Sequence, residues 1–218
     1  MTELISIHIP KTAGRSFLAI LQSVYGSELV MHFDRKNYPE KSIPDVEQFK
    51  LQLNEKIKVI HGHFRYKEFR DLEGFKNAKL ITWVRNPVDR VISNYSFFKK
   101  RITFALNDAE LQRRKNESLL EYAFKDDTRN LMSQFTDGLK LNDFYFIGLM
   151  ESFNSELLKL SEMLNWGSFE IPRINDNAEF KNQLPSVTEE EKTLIENLNA
   201  KDIELYSKVL ELRKNRLT

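Results

Sequence analysis

LISIHIPKTAGRSF, residues 4–17, is the stretch on which the fold turns. Leu4 to Pro10 alternates and then runs apolar, the pattern of a buried strand, with His8 inside it. After Gly14 the pattern changes. Phe17, Leu18, Ile20, Leu21, Val24 and Tyr25 fall on one broad face at 3.6-residue spacing, which predicts a helix. A strand, a short loop with a glycine and then a helix is an anion-binding arrangement, because free N–H groups and the dipole gather at the helix start. Lys11 adds a point charge there, and Thr12 and Ser16 add hydroxyls. An ATP-type phosphate loop needs its lysine after the glycines; here the lysine comes first and the leading glycine is missing. For this motif alone, a solvated Lys-Thr turn capping a helix stays open.

Outward from that stretch the chain alternates strands and helices. Leu29–Phe33, Lys58–Ile60, Leu80–Val84 and Phe144–Leu149 are the further strand candidates. Residues 35–56 read as a polar loop followed by a short helix. Pro87 suits the first turn of a helix whose core stripe is Val88, Val91, Ile92, Tyr95 and Phe98. From residue 101 onward helices dominate, with Glu156–Leu164 amphipathic and a Thr-Glu-Glu-Glu capping pattern opening the last stretch at Thr188. No internal repeat or Gly/Ser linker is present. The expectation is a single α/β domain, residues 1–218: a three-layer fold with a central, mainly parallel sheet flanked by helices and a helical C-terminal half. In such folds ligands bind at the carboxyl ends of the strands.

Two more polar motifs fall at strand ends. Arg85 closes the LITWV strand, and Ser93 lies eight residues on, opposite the apolar stripe of the following helix. An arginine fork with a serine hydroxyl suits a phosphate dianion, whereas an Arg85–Asp89 pair with a surface serine is the plain alternative. His61-Gly62-His63 follows the short strand at 58–60. Histidine is the side chain best placed to accept a proton near neutral pH, and Gly62 lets the backbone turn or come close to a ligand. A pair of turn histidines satisfied by backbone groups is the competing view. A zinc site has only His8 and His32 left to draw on, and no H-E-x-x-H helix exists.

Composition narrows the classes. With 33 Lys plus Arg against 32 Asp plus Glu, the net charge of +1 is too small for binding to long nucleic acid. The absence of cysteine excludes disulfides, thiolate zinc, iron–sulfur clusters and a cysteine nucleophile. No apolar run approaches the roughly 18–20 residues that cross a bilayer, and MTELISIHIPK lacks the basic and apolar regions of a secretory signal. A cytoplasmic location is expected.

Taken together, the motifs resemble the carbohydrate sulfotransferases related to the heparan sulfate and dermatan sulfate uronyl 2-O-sulfotransferases. IPKTAGRSF, residues 9–17, is similar to that family's 5′-phosphosulfate loop. VRNPVDRVISNY, residues 84–95, is similar to its 3′-phosphate motif, and His61-Gly62-His63 to its His-Gly-His element. NLMSQF (130–135), FIGLME (146–151) and DIELY (202–206) resemble later landmarks in the expected order. The family often has Thr or Ser where Arg15 stands, and its eukaryotic members carry a membrane anchor and lumenal cysteines that have no counterpart here.

The resemblance implies a P-loop-like fold and an O-sulfation enzyme using 3′-phosphoadenosine 5′-phosphosulfate (PAPS), with adenosine 3′,5′-bisphosphate (PAP) as product and no metal. It implies His63 as catalytic base, with His61 as fallback base or orienting residue. Lys11 would act on the leaving oxygen, and Lys11, Thr12, Ala13, Gly14, Arg15, Ser16 and Phe17 would hold the 5′ end. Arg85 and Ser93 would hold the 3′-phosphate. A saccharide acceptor is expected; Lys67, Arg70, Lys99, Lys100 and Arg101 are the candidates to meet it, a solvated surface cluster being the plain alternative, with Arg113-Arg114-Lys115 on a mobile loop. The rivals are a P-loop nucleotide kinase or other phosphotransferase, and a non-catalytic nucleotide-binding protein. Neither a nucleic-acid partner nor a membrane span is expected.

Overall fold

The structure is a computed structural model that describes residues 2–33, 53–71, 77–104, 107–169 and 186–215. Most of the loop and helix expected at 35–56 lies outside the described residues. The chain forms two compact units, Met1–Val84 with Met132–Ile174, and Arg85–Leu131 with Asn175–Thr218.

The first unit holds a five-stranded, wholly parallel sheet in the order β2-β3-β1-β4-β5. Its strands are β1 (Leu4–Ile7), β2 (Val30–Phe33), β3 (Val59–Gly62), β4 (Lys79–Val84) and β5 (Phe146–Leu149). β1 is central, and all four of its residues, three apolar ones and Ser6, are buried, as in a parallel strand covered on both sides. The first strand ends at Ile7, so His8 is not inside it as the sequence pattern suggested. β3 runs on to Gly62, which brings His61 into the ladder. The chain goes from β1 to one side of the sheet and later returns to the other side through β4, so β1 lies at the reversal of strand order, where crevices form.

Helix α1 (Gly14–Tyr25) follows β1, and α2 (Tyr66–Phe69) follows β3. Helices α3 (Pro87–Phe104), α4 (Ala109–Arg113), α5 (Leu119–Ala123), α6 (Leu131–Phe135) and α7 (Phe153–Met163) come next, then α8 (Glu189–Leu198) and α9 (Ala200–Asn215). α1 buries Phe17, Ile20 and Leu21 against Leu4, Val59, Ile81 and Trp83 of the sheet. Phe153, Leu157 and Leu160 of α7 join the same core. Each such side chain, fully buried, contributes about 1.5–3 kcal/mol. The N–H of Gly26, at φ 90°, closes α1 on the Gln22 carbonyl.

The second unit is helical. Asn86 caps α3, its Oδ1 accepting from the N–H groups of Val88 (3.0 Å) and Asp89 (3.2 Å), with Pro87 in the first turn as expected. The expected stripe of α3 packs with Leu119, Tyr122, Ala123 and Ile195. Ser118–Glu121 and Thr188–Glu191 form capping boxes that start α5 and α8. No described helix is long and apolar enough to cross a membrane.

Candidate functional site: a strand-end loop and a histidine stack

The loop after β1 is bent by two residues that are not glycine. Lys11 (φ 72°) and Ala13 (φ 63°) both adopt the left-handed conformation, which costs an L-residue roughly 1–2 kcal/mol each. Left-handed residues at alternate positions give the backbone pattern from which anion nests are built. Between them Thr12 is buried, and its hydroxyl donates to the Ile9 carbonyl (2.8 Å), so that side chain holds the loop's own shape. Ala13 caps α1 without any side-chain hydrogen bond, and the first turn has no acidic residue. The positive end of α1 is therefore not neutralised by its own residues. Arg15 is exposed and Ser16 half-buried, while Phe17 turns into the core and donates its N–H to Ala13 (3.0 Å).

All four histidines of the chain gather beside this loop. Sheet register places His61 level with Ser6 on one side and His32 on the other. The His8 ring lies 5.1 Å from the His61 ring and 3.9 Å from the His63 ring, and His32 lies 5.7 Å from His61, all stacked. His61 is 1% exposed and both its nitrogens are engaged. Nε2 meets the Gly14 carbonyl (3.1 Å), which can only accept, so Nε2 carries the proton; Nδ1 then accepts from the Ser6 hydroxyl (2.8 Å). Burial first, and the His32 and His63 rings second, pull the His61 pKa down to about 3. His8 is also held well below the ordinary histidine value by burial and then by His63 and His61.

His63 is half-buried, and its Nδ1 meets the His8 carbonyl at 2.7 Å. The same reasoning puts the proton on Nδ1 and the lone pair on Nε2. Gly62 makes this geometry possible: at φ 156°, a Cβ there would stand 2.4 Å from the Phe33 carbonyl oxygen, to which His63 also donates its N–H (3.1 Å). Beside His63 lie the Phe135 ring, edge-on at 6.2 Å, and Arg65, which donates to Gln134 Oε1 (3.1 Å). Lys67 pairs with Asp137 (2.5 Å), and Arg70 is 3.9 Å from Asp71.

In the second unit, Arg85 and Ser93 are both half-buried, Arg85 directly following β4 in the chain and Ser93 within α3. Arg90, fully buried, donates to the Thr128 carbonyl (2.9 Å) and lies 3.8 Å from buried Asp202. Asn130, at φ 49°, accepts from the N–H groups of Lys201 and Asp202 and starts α9; it donates its own N–H to Asn199. Two of the later landmarks thus belong to one buried network. The basic cluster at 113–115 straddles the end of α4, with Arg114 and Lys115 in the turn that follows it. Arg113 ends α4, while Arg114 grips Glu117 with two 2.8 Å bonds and stacks on Phe98 at 4.3 Å. Lys99 donates to the Lys115 carbonyl, while Lys100 and Arg101 are exposed on α3.

The structure therefore brings Lys11–Phe17, His61 and His63 together in the first unit. His8 was missed as a site residue because it read as an interior strand position. The signal available was a histidine at a strand end three residues before the loop lysine. Among the described residues, no group of three or more His, Asp or Glu is disposed to hold a metal ion.

A family model described as the sulfotransferase family matches residues 2–209. Among solved structures, the chain is similar to a sulfotransferase from Alicyclobacillus acidocaldarius, with a TM-score of 0.50, 14% identity and 94% of each chain covered. It also matches the sulfotransferase domain from the curacin biosynthetic pathway, with a TM-score of 0.44, 12% identity, and 90% of this chain and 97% of that one covered. No curated protein sequence matches this one.

Proposed function

Because the chain belongs to the sulfotransferase family, we propose that it moves the sulfuryl group of PAPS to a hydroxyl of a saccharide acceptor, residues 1–218 working as one catalytic domain. The observation that carries this reading is the meeting, at the carboxyl end of β1, of a left-handed loop on an uncapped helix start with a histidine whose Nδ1 is tied down. PAPS supplies an already activated sulfuryl group, so the protein's share is alignment and charge stabilisation. The N–H groups of residues 12–16, with the Ser16 hydroxyl, hold the 5′ end, and Lys11 meets the charge that grows on the leaving phosphate oxygen. His63 Nε2 takes the acceptor's proton as the new S–O bond forms and the bond to phosphate breaks. His61, with both nitrogens engaged, orients the loop through Gly14. Arg85 and Ser93 hold the 3′-phosphate and select a doubly phosphorylated adenosine.

Calorimetric titration with PAP, against ATP with magnesium, tests the nucleotide assignment. PAP binding that weakens on Arg85→Ala supports it, and preference for Mg-ATP would move the chain to the phosphotransferases. Labelled PAPS with a panel of heparan- and dermatan-type oligosaccharides tests the acceptor class. Binding of PAP with no transfer to any acceptor would leave a nucleotide-binding protein without turnover.

A further inference from the structure

The mechanism above leaves two rings of the stack unused, His32 and His8, and of these His8 stacks on the base. His8 contributes its carbonyl to His63 Nδ1 (2.7 Å), and its imidazole lies against the His63 ring at 3.9 Å between centroids and 25° between planes. Two further contacts of that imidazole are also through its flat surface. A Cβ built on Gly14 would fall 1.8, 2.0 and 2.1 Å from Nε2, Cδ2 and Cε1 of His8, so the face of the ring fills the space where any other residue at 14 would carry a side chain. His61 stacks on it at 5.1 Å and 16°. The ring's Nδ1 is buried without a hydrogen-bond partner. Packing, not a hydrogen bond at that nitrogen, sets its orientation.

We propose that His8 is a positioning residue for the base: its ring is the plate that fixes the plane of the His63 imidazole against the phosphate loop, and its carbonyl fixes the tautomer. The proposal rests on the reading of His63 as the base, through which His8 acts. A free imidazole beside a carbonyl can swing away and exchange its proton between nitrogens. Confined by the His8 ring on one side of the Gly14 loop, His63 keeps Nδ1–H toward the backbone and Nε2 toward the acceptor. Gly14 is part of the same device, since it leaves room for the plate.

Two-bond proton–nitrogen NMR of the unliganded protein reads this directly, because the chain has only four histidines, His8, His32, His61 and His63. Wild type is expected to show His63 wholly as the Nδ1–H tautomer. His8→Ala shifts it toward a mixture with Nε2–H, and His8→Phe, which keeps a flat ring without nitrogens, restores the wild-type pattern. An unshifted His63 in His8→Ala, or an equal shift in both variants, overturns the proposal. Turnover on the oligosaccharide panel supplies the second readout. His8→Ala lowers it by about 10²-fold, the scale of a misplacement of about 1 Å, while PAP affinity is unchanged. In a His63→Ala background the same change has no further effect; an equal loss in both backgrounds would show that His8 does not work through His63. Should His63→Ala itself turn over like wild type, the base assignment fails, and the NMR result on His8 is read independently of it.

Discussion

His61 makes the first unit acid-sensitive by an amount that its surroundings define. Its Nδ1 accepts from Ser6, its Nε2 donates to Gly14, and the ring is sealed from solvent. To take up a second proton it must give up the Ser6 bond and carry a buried charge beside other imidazoles, so its native pKa is about 3 against 6.5 when unfolded. Between those values the unfolded chain binds a proton that the native state does not. Stability from this group is complete above about pH 6.5 and falls as pH drops toward 3, with a slope approaching about 1.4 kcal/mol per pH unit. From pH 7 to pH 5 His61 alone removes about 2 kcal/mol. His8, also depressed, acts with the same sign. Urea unfolding at the two pH values, followed by tryptophan fluorescence, isolates the right region, because both tryptophans of the chain, Trp83 and Trp166, belong to the first unit. In His61→Gln the loss between pH 7 and pH 5 shrinks by about 2 kcal/mol. An unchanged loss in that variant, or a native His61 that titrates near 6.5, would refute the reasoning.

Other outcomes are as specific. Gly14→Ala must displace the His8 ring; overpacking of this kind costs about 1–3 kcal/mol, measurable by denaturant unfolding, and lowers PAP affinity by distorting the loop. His63→Ala lowers sulfuryl transfer by about 10²–10⁴-fold while calorimetry still records PAP binding. Asp202→Ala strands the buried Arg90 charge in the second unit and costs about 3–5 kcal/mol, seen as an early loss of helical circular dichroism. Its tautomer pattern at His63 stays that of wild type, since that network lies wholly within the second unit.

The sheet was legible because its strands are apolar runs closed by proline, glycine or charge, and the helix faces because 3.6-residue spacing survives in α1 and α3. The boundaries were less so. Apolar character continues to Ile9, yet the β1 ladder stops at Ile7, because the chain must leave it for the turn at Lys11. The histidine stack was invisible for a different reason. His8 and His61 are far apart in sequence, and only the parallel register of β1, β2 and β3 brings them side by side. Arg114 looked like one member of a basic cluster, although Glu117 three residues on is the pairing that a helical or turn spacing allows. Arg90 gave no signal at all, because nothing in a local pattern says that a charge will be fully buried.

The central place of β1 has a kinetic consequence. This segment is made before its partners, which lie 55 residues downstream in β3 and 75 downstream in β4. Until β3 has emerged neither flank of this strand is occupied, and one flank stays open until β4 follows; closing two long chain loops makes assembly slow. Nascent chains of this protein should therefore depend on holding chaperones most strongly between the emergence of β1 and that of β4, which ends at Val84.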